Sequence, residues 1–159
     1  MNRKILIIAT ITLFLDQISK SIIEMFLILN EKIIIIKDFF SIHYIHNYGA
    51  SWSLLNNKIP LIIFISILSL AIIYHFMYVF QTNRRNNLAF GLVVGGVSGN
   101  LMDRWLLGYV RDFLDFQIVK YHYPVFNIAD IAIVVGILLL IIAILKGEDH
   151  REKLDRQTK

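Results

Sequence analysis

The sequence predicts a membrane protein, mainly α, with four transmembrane helices and a small extracytoplasmic β-sheet with loops on the outer membrane surface. Three observations carry this. The chain is 57% hydrophobic and only 18% charged, whereas a soluble domain is about half apolar and about a quarter charged. The apolar residues fall in four blocks, each near the ~20 helical residues needed to cross a ~30 Å bilayer. Between the first two blocks lies a β-branched, aromatic stretch that partly alternates apolar and polar, the pattern of strands rather than helices.

The first helix is expected at about 5–29, the second at about 60–80, the third at about 88–107 and the fourth at about 128–145, within a single domain spanning 1–159. Although Arg3 and Lys4 precede an apolar run, no small-residue cleavage site follows it. The run is therefore read as a retained helix and not as a signal peptide. The outer sheet is expected over about 31–57, from Ile33-Ile34-Ile35-Ile36 and Phe39 to His46, with Asn47-Tyr48-Gly49 as a turn. The aromatic segment 108–126 reads as a further strand or interfacial loop, and 146–159 as a charged tail.

Cationic side chains set the orientation. Arg3, Lys4, Arg84, Arg85, Lys146, Arg151, Lys153, Arg156 and Lys159 would share one side; Lys32, Lys37, Lys58, Arg111 and Lys120 would share the other. The first side is richer, so both termini are expected in the cytoplasm and the sheet outside, toward the periplasmic face. No dense Lys/Arg cluster suggests nucleic-acid binding. The absence of cysteine excludes a thiol nucleophile and thiolate metal ligation, and no metal or cofactor is expected.

Charges inside a bilayer cost roughly 2.5–3.5 kcal/mol each on insertion scales and tend to be functional. Asp16 and Lys20 share a helix face, as do Asn100, Asp103 and Arg104. Asn127 and Asp130 have the spacing of a capping box opening helix four, with Phe126 and Ile131 as its hydrophobic staple. Simple neutralisation of Asp16 by Lys20 and of Asp103 by Arg104 would account for each pair alone. Depth favours more: at 1.5 Å per residue, Asp16 lies about 17 Å and Asn100 about 18 Å above the inner edge. Asn127 and Asp130 open a helix that runs inward. Three helices thus place polar groups in the same outer half of the membrane, as one shared site would. Gly91, Gly95 and Gly99 recur every four residues beside Gly96 and read as a helix-packing stripe; Gly96 and Gly99 would also leave room for a substrate chain.

A carboxylate pair sharing one proton can activate water, one member as base and the other as acid. Asp16, Asp103, Asp112, Asp115 and Asp130 are the candidates. Spacing favours Asp112 with Asp130 modestly and leaves Asp115 open.

Four blocks now carry a resemblance. They are Asp16-Gln17-Ile18-Ser19-Lys20, Asn47-Tyr48-Gly49-Ala50, Gly99-Asn100-Leu101-Met102-Asp103-Arg104 with Gly108-Tyr109-Val110-Arg111-Asp112-Phe113, and Phe126-Asn127-Ile128-Ala129-Asp130. In this order they resemble the lipoprotein signal peptidases (signal peptidase II) over essentially the whole chain. The resemblance implies an aspartic endopeptidase of the bacterial inner membrane with Asp112 and Asp130 as catalytic dyad. It implies that Asp16, Lys20, Asn47, Gly49, Gly96, Asn100, Asp103, Arg104, Asn127 and Ala129 bind substrate or order the site. The implied partners are membrane lipid and prolipoproteins bearing a diacylglyceryl-modified cysteine, cut just before that cysteine by a monomeric enzyme. Ser51-Trp52, where the family often has Ala-Phe, and Val97-Ser98 depart from the pattern and bear only on substrate preference.

Two rivals remain. Gly96-Val97-Ser98-Gly99 matches a rhomboid-like serine protease pattern, but His43, His46, His75, His122 and His150 all lie outside helix four, where a base would be needed. His43 and His46, three apart in a strand, should face opposite ways and make a poor metal pair. A proton-coupled transporter would also use buried Asp, Lys and Arg, yet helix two and the inner half of helix four offer almost no polar groups.

Overall fold

A computed structural model describes residues 2–49, 58–119 and 121–149. Ala50, Ser51, Trp52, Lys120 and the charged tail from 150 onward lie outside the described residues. The elements run α1 (Arg3–Phe26), β1 (Lys32–Ile36), β2 (Phe40–Asn47), α2 (Ile59–Val79), α3 (Arg84–Leu106), β3 (Val110–Ile118), β4 (Tyr121–His122) and α4 (Ile128–Leu145).

Three of these helices, α1, α2 and α4, are long and apolar enough to cross a membrane. The fourth long helix, α3, carries Asn86, Asn87, Asn100, Asp103 and Arg104, all buried, and is too polar to join them on composition. It is polar because it is the hub, packing on α1, α2 and α4, so its side chains meet protein where the other three present theirs outward. Phe14, Phe64 and Leu138 are all more than half exposed, as side chains facing hydrocarbon would be.

Small residues make the hub possible. A Cβ on Gly95 would lie 2.7 Å from the Ala9 carbonyl oxygen, so α1 passes against that face of α3. A Cβ on Gly96 would lie 2.5 Å from the Ala129 carbonyl oxygen, so α4 passes against the adjoining face. A Cβ on Gly99 would collide with the Asp16 carboxylate. The space at Gly96 and Gly99, expected to admit a substrate chain, is therefore taken by α4 and by Asp16.

At one end of the bundle, the start of α1, the α2–α3 link and the end of α4 are tied together. Asn2 bonds Asn87 at 3.3 Å, and Glu148 accepts from Asn83 at 2.6 Å and Asn86 at 3.1 Å and pairs with Arg85. At the other end lies a four-stranded antiparallel sheet in the order β1-β2-β3-β4. The segment expected as a strand or loop after α3 is thus a strand, β3, in the interior of the sheet. Ile45 faces Asp112 and Asn47 faces Val110 across β2 and β3. An extra β2 residue between Ile42 and Ile45 shifts this register. The bulge has a consequence for the histidines: His43 and His46 face the same side of the sheet, not opposite sides. Their partners differ, since His43 approaches Asp115 at 3.8 Å while His46 meets the Tyr44 hydroxyl at 3.0 Å.

Candidate active site

The site forms where the sheet meets the C-terminal ends of α1 and α3 and the N-terminal end of α4. Asn127 starts α4 as its N-cap, and Asp130 completes a capping box. The Asn127 side-chain oxygen accepts from the Asp130 N–H at 3.0 Å, while Asp130 Oδ2 accepts from the Asn127 N–H at 3.2 Å. Ordinary helix-start chemistry thereby fixes one carboxylate. The Asn127 Nδ2 then reaches the other, donating to Asp112 Oδ1 at 2.7 Å. Asn47, at the end of β2, donates to Asp112 Oδ2 at 2.8 Å, and Asn100 on α3 donates to Asp130 Oδ1 at 2.8 Å.

The amide orientations are set from below. Asn100 Oδ1 accepts from Lys20 Nζ at 3.0 Å and from Asn127 Nδ2 at 3.0 Å, so its own NH2 must face Asp130. Lys20 also bonds Asp16 Oδ2 at 2.8 Å and lies 3.3 Å from Asp103 Oδ2. All three groups are essentially excluded from solvent. Asp16 Oδ1 in turn accepts from the Ala129 N–H at 2.9 Å, one of the free amides at the start of α4.

The expected neutralisation of Asp103 by its neighbour Arg104 does not occur. Consecutive helix residues point about a quarter-turn apart. Asp103 turns to Arg111 on β3, with Nη2 at 2.8 Å, and to Lys20. Arg104 turns toward the cleft, where it donates to the Gly49 carbonyl at 2.9 Å and the Asn100 carbonyl at 3.3 Å. Asp115 sits apart from the carboxylate pair: Lys32 on β1 bonds it at 2.6 Å.

Asn47, Asn100, Arg104, Asp112 and Asp130 line a cleft of about 950 Å³ whose remaining wall is largely apolar, including Ile62 of α2 and Ile131, Val134 and Val135 of α4. Asp112 lies outside the spanning helices and is almost wholly buried. Burial first and the negative charge of Asp130 second push its pKa up from 3.8 to about 7, against the opposing bonds from Asn47 and Asn127 and the charge of Lys20. Two carboxyls are thus joined through one asparagine, with one held near neutrality, beside an apolar wall. This arrangement can take one proton from a water molecule and deliver another to a bound amide.

A family model for signal peptidase (SPase) II matches residues 8–146. This chain belongs to the signal peptidase II family. It is 34% identical over 150 residues to a lipoprotein signal peptidase of Clostridium tetani, covering 93% of this chain and 96% of the relative. It is 36% identical over 155 residues to one of Staphylococcus aureus, covering 97% and 94%. Two solved structures, each described as a bacterial membrane enzyme, are 35% identical to it. One has a TM-score of 0.82 over 89% of this chain and 87% of that one, the other 0.80 over 89% and 92%. Membership makes this signal peptidase an enzyme of the aspartic type and favours that reading over the serine protease and transporter alternatives.

The twelve residues singled out from sequence all fall at or beneath the carboxylate pair, Gly96 and Ala129 as the α3–α4 contact below it. Sequence reasoning gave no site role to Gln17, Glu24 or Arg111. Gln17 donates to Asp103 Oδ1 at 3.1 Å and accepts from Arg111 Nη2 at 2.9 Å, and Arg111 Nη1 donates to Glu24 at 2.9 Å. The available signal was Glu24, a charge in an apolar helix whose i−4 neighbour, Lys20, is already taken by Asp16 and Asp103.

Proposed function

We propose that this lipoprotein signal peptidase releases signal peptides from diacylglyceryl-modified prolipoproteins by water attack between Asp112 and Asp130, cutting before the lipidated cysteine. The observation that carries the reading is the single Asn127 side chain that donates to Asp112 while capping the helix that holds Asp130. Two carboxyls so linked share one proton. The proton rests on Asp112, whose burial favours the neutral form, and Asp130 acts as base on water. Asp112 then donates to the departing amine. Arg104, in the same cleft, offers positive charge to the developing oxyanion.

The chain acts as one integral-membrane domain and as a monomer, with α3 as a fourth span screened from lipid by its neighbours. Both termini face the cytoplasm, and the sheet and cleft face outward. The apolar wall of Ile62, Ile131, Val134 and Val135 takes the lipid and the hydrophobic signal segment. Each buried acyl methylene contributes about 0.8 kcal/mol, so lipid supplies much of the substrate affinity. The test is cleavage of matched synthetic precursors with and without the diacylglyceryl group. The lipidated form alone should be cut; equal rates on both would refute the assignment.

A further inference from the structure

Asp112 stands on a strand of the outer sheet, whereas Asp130 stands on a helix. Catalysis between them requires that sheet and bundle keep a fixed separation. The residue just before Asp112 makes the tie. Arg111 faces the opposite side of β3, toward α1 and α3, and is buried. Its guanidinium donates to Asp103 at 2.8 and 3.3 Å, to Gln17 at 2.9 Å and to Glu24 at 2.9 Å. Its backbone N–H also donates to Asp103 Oδ2 at 3.1 Å. One residue thus engages side chains of two helices while its peptide carries the Asp112 strand.

The tie also reaches Asp130. Asp103 is shared between Arg111 and Lys20. With Arg111 filling most of its acceptor positions, Asp103 leaves Lys20 free to bond Asn100 at 3.0 Å, and that bond turns the Asn100 amide toward Asp130. Without Arg111, Asp103 is a buried carboxylate with one cation left, and it draws Lys20 away from Asn100. The amide of Asn100 then loses the contact that fixes its orientation.

We propose that Arg111 is a positioning residue for the reaction, setting Asp112 through the backbone and Asp130 through Asp103, Lys20 and Asn100. The inference rests on the reading that Asp112 and Asp130 are the dyad. Because Arg111 faces away from the cleft, its loss should lower kcat and leave KM unchanged. A misplacement of about 1 Å in reacting groups costs on the order of 100-fold.

The test is steady-state cleavage of a lipidated peptide by purified full-length Arg111→Met, Arg111→Lys and Asp112→Asn proteins, with melting temperatures recorded beside it. Arg111→Met should lose on the order of 100-fold in kcat at constant KM. Arg111→Lys, which keeps the charge without the planar fork, should recover only part of it. If Arg111→Met does not fold, Arg111→Lys carries the test. Wild-type kcat in Arg111→Lys, or a loss confined to KM, would overturn the proposal. Activity in Asp112→Asn would instead sink the dyad reading, and the positioning role with it. An inactive Asp112→Asn beside an unimpaired Arg111→Lys would sink the positioning role alone.

Discussion

Replacing Asp112 by Asn should change how stability depends on pH, by an amount the site itself fixes. The carboxyl rises from 3.8 to about 7 on folding. At ~1.4 kcal/mol per pH unit, this amounts to about 4 kcal/mol. The folded state keeps a proton that the unfolded chain releases. This stabilising contribution is therefore whole below about pH 4 and is lost as pH climbs through about 7. The residue is almost wholly buried, so solvent screening removes little of it. Asn cannot ionise, and the variant should be spared the loss. It does carry a cost: Asn47 and Asn127 each donate to one oxygen of Asp112, and Asn offers only one oxygen. That mismatch costs about 1–3 kcal/mol at every pH and drops out of the slope. The assay is thermal unfolding in detergent at about pH 5 and about pH 8. A chain of this size shifts roughly 2–4 °C per kcal/mol. About 2–3 kcal/mol of the full amount falls between these two conditions, so Asp112→Asn should gain roughly 5–10 °C relative to wild type while cleaving no lipidated peptide. Parallel pH slopes in the two proteins would refute the reasoning, because they would mean that Asp112 binds no extra proton in the folded state.

Lys20→Met should destabilise the protein by roughly 3–5 kcal/mol, because it leaves the buried Asp16 without its cation and Asp103 with Arg111 alone; chemical or thermal unfolding reads it directly. Gly96→Ala should cost about 1–3 kcal/mol and lower activity as well, because the new methyl would press on the Ala129 carbonyl at 2.5 Å, one residue from Asp130. Asp115→Asn should keep full peptidase activity and lose no more than about 1 kcal/mol, since its Lys32 partner is 39% exposed. Inactivity of that variant with an intact fold would move the catalytic role to Asp115.

Much of the site was legible because polar residues are conspicuous in apolar helices. Asp16, Lys20, Asn100 and Asp130 stand out by the cost of burying them, and helical spacing places them at one depth. Three features were not legible. Asp103 was paired with Arg104 because they are adjacent, although adjacency on a helix separates side chains; the actual partner, Arg111, comes from a strand eight residues on. Asp112 and Asp115 could not be separated while the segment stood as either strand or loop. Once β3 is a strand, residues three apart face opposite sides, and only Asp112 can face α4. The bulge in β2 was likewise hidden: one additional residue reverses which face His46 shares with His43, and no local composition signals it. The polarity of α3 made it the least membrane-like of the long helices, for the same reason that it is the most enclosed.

The hydrogen bonds that begin α4 are the ones that hold Asp130. Helix ends ordinarily fray at little cost, opening and closing far more often than the protein unfolds. At this end, on the proposed mechanism, fraying would be coupled to chemistry: loss of the first turn releases Asp130, withdraws Asn127 from Asp112 and frees the Ala129 amide from Asp16. With Asp112 and Asp130 as the proposed dyad, an α4 loosened at its first turn would leave the enzyme without one carboxyl in place. On that mechanism a substrate that pulls on this turn would disarm the enzyme, whereas one that settles against it would shut off the opening that lets the two carboxyls drift apart.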